Sequence, residues 1–178
     1  MNQRDEYGPT GTVVIEGNKA TLVFRRRLVY PPELVWRALT DPNELSSWYM
    51  TKANLDAREG GKIDFISGPS RLHVTGRILT WDPPNVFEHE WRVEPRAELP
   101  SGEDAIIRWE LRRDGDGTIL HLEHRSLNRQ TALGFAPGTH AFMDRLESQL
   151  KKQPLPNWQE RYQQVANQYP PSWVSKQE

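Results

Sequence analysis

The pattern of hydrophobic and polar positions changes once along the chain, near residue 130. Before that point apolar residues mostly alternate with polar ones, which is typical of strands whose two faces meet different surroundings. From Thr131 to Lys152 apolar residues recur at spacings of three and four, which predicts one face of a long α-helix. The apolar face of a single helix after a sheet needs that sheet as its cover. We therefore expect an antiparallel sheet that curves around the helix.

Eight runs, most of them rich in β-branched and aromatic residues, predict the strands of this sheet. Turn signals separate them, including Gly17-Asn18, the segment 82–85 and the segment 114–117. In the clearest run, Val86–Glu94, four residues alternate with charged ones and are expected to face the helix. These four are Phe87, His89, Trp91 and Val93. Later runs place further residues on the same face: Ile107, Trp109, Leu111, Leu120, Leu122 and His124.

Three consecutive arginines, Arg25 to Arg27, close the second run. They suggest either an anion site or a solvated strand edge. Successive side chains of a strand point to opposite faces, so the three guanidinium groups do not converge on one anion. We therefore favour the solvated edge.

Two short helices are predicted after the first strands. Pro32 lies in the first turn of one helix. Asp41 can cap the other, with Pro42 at its first position and Glu44 completing a capping-box pattern. The second helix is expected to end near Trp48.

The remaining boundaries divide the chain into three parts. Pro154 ends the long helix, and aromatic residues from 158 to 169 predict a further short amphipathic helix. We predict a polar N-terminal tail (1–11), a central domain (12–153) and a C-terminal extension (154–178). Trp173 lies in that extension, which we expect to pack on the outside of the domain rather than to cover a cavity mouth.

Composition excludes several classes of function. The 178 residues carry a net charge of −1, so there is no electrostatic signature of nucleic-acid or acidic-membrane binding. No cysteine is present, which excludes disulfide and thiol chemistry and favours a cytoplasmic location. The polar N-terminus does not have the pattern of a signal peptide. No apolar run approaches the roughly 18 residues that span a bilayer.

Several local motifs, in this order and spacing, resemble one known family. Residues 32–42 read PELVWRALTDP, with Trp48 six positions further on. Gly60-Gly61 precedes KIDF, Gly76 precedes a Pro-Pro turn, Trp91 lies in a central strand, and residues 117–124 read GTILHLEH. Over roughly residues 21–150 the chain resembles the activator of heat-shock protein 90 ATPase homologue family. That family lies within the START-like (SRPBCC) superfamily.

The resemblance implies an α+β helix-grip fold: a curved antiparallel sheet wrapped around a long C-terminal helix, with two short helices after the first strand. Bacterial members are similar to lipid-transfer and polyketide-cyclase domains, whose cavity between sheet and helix holds an apolar small molecule. The long helix of relatives often begins Gly-Trp-His, whereas this chain has Gly138-Thr139-His140. Thr139 lacks the indole, so it predicts extra room beside Trp91 and Trp109.

Seven residues are candidates for the cavity lining. His89 and His124 are polar residues on apolar strand faces, where they either orient a ligand oxygen or are hydrogen-bonded core histidines, the alternative that we favour. The tryptophans either stack on an aromatic or sterol-like ligand or fill the core. The full set is His89, Trp91, Trp109, His124, Thr139, Phe142 and Leu146.

Metal and nucleophilic chemistry have little support in the sequence. His121, Glu123 and His124 resemble a metal-binding cluster, but on a strand His124 points away from the other two. The segment 114–117 resembles part of a calcium loop but lacks the downstream glutamate, and a hairpin accounts for it. The chain has no GxSxG motif and no phosphate-binding glycine loop. We expect no metal and no cofactor.

Three functional hypotheses remain. The first is a domain that binds an apolar or aromatic small molecule between sheet and long helix. The second is a cyclase- or hydrolase-type enzyme that uses a buried histidine in the same cavity. The third is a chaperone-associated or stress-linked interaction protein. We expect neither nucleic-acid binding nor membrane insertion, and a protein partner or a homodimer stays open.

Overall fold

The computed structural model describes residues 6–171 and contains one eight-stranded antiparallel sheet with strand order β1-β2-β8-β7-β6-β5-β4-β3. The sheet is curved, and the architecture is the predicted helix-grip fold. All eight strands lie in runs that the hydrophobic pattern predicts. Numbered in chain order, they are β1 (Thr12–Glu16), β2 (Lys19–Leu28), β3 (Thr51–Leu55), β4 (Lys62–Ser67), β5 (Leu72–Asp82), β6 (Val86–Val93), β7 (Glu103–Asp114) and β8 (Gly117–Asn128).

Within residues 6–171 four α-helices accompany the sheet. The longest packs against β1, β2 and β8 as well as against the other three helices. Both β1 and β2 precede the two short helices, as the hydrophobic runs predict. The helices are α1 (Pro32–Thr40), α2 (Pro42–Trp48), α3 (Arg129–Leu150) and α4 (Trp158–Val165). None of the helices among residues 6–171 is long and apolar enough to cross a membrane.

Asp41 begins α2 as predicted. Its carboxylate accepts hydrogen bonds from the backbone N–H groups of Asn43 (2.8 Å) and Glu44 (3.2 Å). The reciprocal half of the capping box is not formed, because the Asp41 N–H donates to the Arg37 carbonyl (2.9 Å). The Glu44 carboxylate instead accepts a hydrogen bond from the Gln149 side chain of α3. This contact ties the short helix to the long one.

Helix α3 begins and ends two residues earlier than predicted. It follows β8 directly, without a loop, at Asn128. The helix ends because Lys152 adopts a positive φ of 55°. Lys151 and Lys152 therefore follow the helix rather than forming its last turn. Pro137 lies inside the helix and has no N–H to donate to the preceding turn.

The arginine run on β2 is not a solvated edge, which corrects the prediction. β2 lies between β1 and β8, and its side chains alternate, so that Arg25 and Arg27 are exposed while Arg26 faces inward. Arg26 is only 3% exposed and contacts Asp144 of α3 at 2.7 Å. A buried guanidinium needs such a partner, because an unpaired charge in the interior is costly.

The core occupies the space between the inner sheet face and the helices. The predicted inner face of β6 is confirmed, since Phe87, His89, Trp91 and Val93 are all at most 5% exposed. Register places His89 opposite Ile107, and Ile107 opposite His124, so that the two histidines lie in the same row with one strand, β7, between them. Gly76 is a point of close approach, because a Cβ there would lie 2.6 Å from the Glu90 carbonyl oxygen.

Both ends of the described chain pack on the domain. Trp158 Nε1 donates to the Gly138 carbonyl of α3 (3.1 Å), and the Tyr162 hydroxyl donates to the Gly134 carbonyl (2.9 Å). At the other end, the Gly11 N–H donates to the Tyr169 hydroxyl (2.8 Å). The three-part division of the chain stays a prediction, and Trp173 lies outside the described residues.

Candidate functional site

A cavity of about 1020 Å³ lies between the inner face of the sheet and α3. Its floor includes Leu72, Trp91 and His124, which are buried on β5, β6 and β8. One side is the face of α3 that carries Phe135, and the turn at 67–70 and the loop at 98–102 contribute to the rim. The C-terminal extension completes the wall through α4. Its lining residues are Asn157, Trp158, Gln159, Tyr162 and Gln163.

Aromatic rings follow one another along this wall. At the floor, Trp91 meets Phe135 edge to face, with 5.6 Å between ring centroids. Towards the rim, Phe142 packs against Trp158 (5.4 Å) and against Tyr49 (5.0 Å). Such rings offer flat apolar surfaces and polarised edges to a bound molecule.

Thr139 lies where its helix position predicts, one turn after Phe135 on the face of α3 that lines the cavity. It is partly exposed rather than buried, and the same holds for Phe135 and Phe142. The other faces of α3 are the packed ones, for example at Ala136, which is 0% exposed. The part of the predicted helix face from Phe135 to Phe142 thus lines an open volume, and a small side chain at 139 leaves that volume free.

His124 has a polar atom without a partner. Its side chain lies on β8 in edge-to-face contact with Trp91, at 4.9 Å between centroids. No described residue hydrogen-bonds its Nε2, although that atom is buried. Burial, with a smaller contribution from the neighbouring His89, lowers the pKa of His124 to about 3. The imidazole is therefore neutral near pH 7.

His89 does not line the main cavity, which corrects its predicted place. Its Nδ1–H donates to the Glu90 carbonyl at 2.7 Å, and burial lowers the pKa of His89 to about 4. It borders a separate void of about 10 Å³, which is at most large enough for one water molecule. Tyr49 and Trp91 border both spaces.

Trp109 and Leu146 are also core residues rather than lining of the main cavity. Trp109 borders the small void and packs edge to face against Trp48 (6.1 Å) and Tyr49 (6.4 Å). Leu146 is 0% exposed, one turn beyond Phe142, where packed side chains replace open space. The structure therefore brings Trp91, His124, Thr139 and Phe142 together at the cavity and separates His89, Trp109 and Leu146 from it.

Sequence reasoning missed the contribution of α4. Trp158 and Tyr162 are recognisable as one apolar face, but nothing in their spacing shows which surface they cover. A Cβ at Gly138 would lie 2.9 Å from the Trp158 ring, so this glycine allows the indole to reach the cavity rim. Phe135 also lines the cavity. The sequence places it on the predicted apolar face of the helix, but it was not among the predicted cavity-lining residues.

His121 and Glu123 face outward, as the strand pattern predicts. Arg25 donates from Nε to His121 Nδ1 at 3.1 Å, and His121 Nε2 lies 3.6 Å from the Glu123 carboxylate. His124 points to the opposite face of the sheet. Within residues 6–171 no group of three or more His, Asp or Glu side chains is arranged to hold a metal ion.

A second polar cluster lies away from the cavity and is centred on Asp144. The carboxylate contacts Arg26 (2.7 Å) from the sheet and Arg161 (2.6 Å) from α4, and lies 3.5 Å from His140 Nε2. A hydrogen bond of 2.8 Å joins His140 Nδ1 to the Tyr169 hydroxyl. This Asp144 cluster (Arg26, His140, Asp144, Arg161 and Tyr169) ties sheet, α3 and C-terminal extension together.

Comparison with known proteins gives a family match over most of the folded domain. The model of the family described as "Activator of Hsp90 ATPase homolog 1-like protein" matches residues 29–151. This range runs from the start of α1 to the end of α3. Among curated proteins, no sequence matches this chain significantly.

Solved structures share the fold. CalU16 from Micromonospora echinospora is 26% identical, with a TM-score of 0.68, and the match covers 90% of this chain and 92% of that one. Protein MLL2253 from Mesorhizobium loti is 24% identical, with a TM-score of 0.67, over 76% of this chain and 99% of that one. A protein from Bordetella parapertussis is 23% identical, with a TM-score of 0.67, over 87% and 86% of the two chains.

Proposed function

Because the chain belongs to the Activator of Hsp90 ATPase homolog 1-like family, whose helix-grip fold is of a ligand-binding type, we propose that it binds an apolar small molecule between its sheet and α3. The observation that carries this proposal is the cavity of about 1020 Å³. Ligand pockets of proteins typically measure about 300–1,000 Å³ and are lined mainly by apolar and aromatic side chains.

Native mass spectrometry of the purified chain tests this proposal. We expect a co-purified small molecule, seen as a mass above that of the polypeptide and released by organic extraction. A protein that carries no such mass and that takes up no apolar probe after extraction would contradict the proposal. The site residues under test are Trp91, His124, Thr139 and Phe142, which line the cavity.

Filling part of the cavity should weaken ligand binding without unfolding the protein. In Thr139→Trp the indole enters open volume instead of a packed core, so we expect apolar ligands to bind at least about tenfold more weakly, a change of about 1.4 kcal/mol. The melting temperature should stay close to that of the parent chain. Equilibrium dialysis with a fluorescent apolar probe, together with thermal unfolding, measures both quantities.

Ser148→Trp provides the matched control for this substitution. It adds the same indole to the same helix, at a position that does not line the cavity. It should leave probe binding unchanged. Equal affinity in Thr139→Trp and Ser148→Trp would show that the probe binds elsewhere.

The two alternatives from the sequence have weaker support. Burial keeps the pKa values of His89 and His124 at about 4 and about 3. General acid–base catalysts work best with a pKa near the working pH, so neither histidine is well suited to that role near pH 7. The chaperone-associated alternative rests on the name of the family alone.

A further inference from the structure

We propose that the cavity selects an uncharged aromatic ligand and holds one hydroxyl or carbonyl group of that ligand at the imidazole of His124. This inference rests on the proposed function and specifies the chemistry of its ligand. It follows from a polar atom at the cavity floor, from the charges of the lining and from the arrangement of its rings.

The polar group is the imidazole of His124, which lines the cavity and whose buried Nε2 has no hydrogen-bond partner among the described residues. Nearly all buried polar side-chain atoms in proteins have a hydrogen-bond partner, so one without a partner in a cavity wall calls for an explanation. His89, two strands away in the same row, shows the contrasting case, because its Nδ1–H already donates to the Glu90 carbonyl. A neutral imidazole nitrogen is either a donor or an acceptor. A ligand hydroxyl group can pair with the nitrogen whether it donates or accepts, whereas a ligand carbonyl can pair with it only when it donates.

The lining charges argue against an anionic ligand. None of the described residues that line the cavity is Lys or Arg, and the one formally charged side chain is Glu98, at the exposed rim. Glu98 is itself paired with Arg96 at 2.6 Å. The buried Arg26 is held by Asp144 on another side of α3. A carboxylate or phosphate at the floor would lose its hydration without gaining a counter-charge, which is strongly unfavourable.

The aromatic rings favour a flat ligand. Trp91 and Phe135 meet at 81° at the floor, so two walls of the cavity stand nearly at right angles beside His124. Phe142 and Trp158 continue the apolar surface to the rim. A planar ring system in this space gains face and edge contacts that a flexible aliphatic chain cannot make without losing more conformational entropy.

Three compounds of one ring system test separately the need for an aromatic ring, for a hydroxyl group and for the absence of negative charge. They are fluorene, 9-hydroxyfluorene and fluorene-9-carboxylate. The protein is first freed of co-purified molecules by organic extraction, and binding is measured by equilibrium dialysis at pH 7.5. We expect fluorene and 9-hydroxyfluorene to bind, and the carboxylate, ionised at this pH, to bind at least about a hundredfold more weakly than the alcohol, the discrimination expected when a buried charge has no partner.

Variants of His124 test the hydrogen bond. In His124→Phe the alcohol should lose about five- to tenfold more affinity than fluorene does, the usual contribution of one hydrogen bond. His124→Gln places an amide near the same point and should restore the preference for the alcohol. His121→Ala removes the outward-facing histidine of the same strand and should change neither compound. Circular dichroism confirms that each variant is folded.

The outcomes separate this inference from the proposed function. Fluorene binding with equal losses for both neutral compounds in His124→Phe would overturn the anchor and leave the ligand-binding function standing. Carboxylate binding as tight as that of the alcohol would overturn the selection against anions. Failure of all three compounds, in a protein that also carries no ligand from the cell, would contradict the proposed function itself.

Discussion

Lowering the pH from 7 to 5 is expected to remove about 3–4 kcal/mol from the free energy of unfolding through His89 and His124 together. Burial lowers their folded-state pKa values to about 4 and about 3, whereas an unfolded histidine titrates near about 6.5. Between these values the unfolded chain binds protons that the folded chain does not. Stability is therefore complete above about pH 6.5 and falls as the pH falls, by about 1.4 kcal/mol per unit for each histidine.

His140 acts in the same direction. Burial and the nearby Arg26 and Arg161 lower its pKa to about 4, against the opposing effect of Asp144. Because domains of this size are stable by only about 5–15 kcal/mol, acid unfolding should begin near pH 5. Urea unfolding followed by tryptophan fluorescence at pH 7, 6 and 5 measures the decline.

Substitutions assign the decline to particular side chains. His124→Gln should reduce the loss between pH 7 and 5 by about 2 kcal/mol, one buried histidine's share. His121→Gln, at the outward-facing position of the same strand, should leave the decline as it is in the parent chain. If the parent chain and both variants lose the same stability between pH 7 and 5, the buried His124 is not the cause of the decline.

Asp144→Asn is expected to lower the free energy of unfolding by about 3 kcal/mol, the usual loss when one partner is removed from a buried ion pair. The parent carboxylate serves Arg26, which is 3% exposed, and Arg161 at the same time. Both arginines lower the pKa of Asp144 against the raising effect of burial, in agreement with a stabilised carboxylate. In the variant Arg26 keeps one carboxylate among the described residues, Glu147 at 3.5 Å, and its hydrogen bond to the Pro9 carbonyl (2.8 Å).

Two further variants test whether the burial of the Asp144 cluster is the reason for the expected loss of stability in Asp144→Asn. Asp104→Asn removes a carboxylate that is 81% exposed and paired with Arg92, and should lower stability by less than about 1 kcal/mol. Arg26→Met should be milder than Asp144→Asn, because Asp144 then retains Arg161 at 2.6 Å. Urea unfolding at pH 7 measures the free energy of unfolding of the three variants and so ranks their losses of stability. A loss in Asp144→Asn no greater than that in Asp104→Asn would contradict the account.

Local periodicity explains why the inner and outer faces of the strands could be predicted from the sequence. The alternation along β6 places His89 and Trp91 on the inner face, and the two residues are 3% and 5% exposed there. The same rule places His121 outward and His124 inward. The capping residue Asp41 was predictable for a similar reason, since its partners are two and three residues away.

The burial of Arg26 and the place of α4 could not be predicted, because both depend on partners that lie far away along the chain. The alternation that buries Phe24 and Leu28 also turns Arg26 inward, but its burial depends on Asp144, 118 positions later. The expectation that the three arginines lie on a solvated strand edge was therefore wrong at this position. The contribution of α4 to the cavity wall depends in the same way on contacts with Gly134 and Gly138 of α3.

The sequence by itself determined the order of strands and helices, the inner face of each strand and the face of α3 that carries Phe135, Thr139 and Phe142, because these follow from spacings of two and of three to four residues. Only the tertiary structure decided which inner residues border open space. Trp91 and Trp109 share one face, yet Trp91 meets the cavity while Trp109 packs against Trp48 and Tyr49. The physical reason is that a side chain's direction is a local property, whereas the volume in front of it depends on every element that packs there.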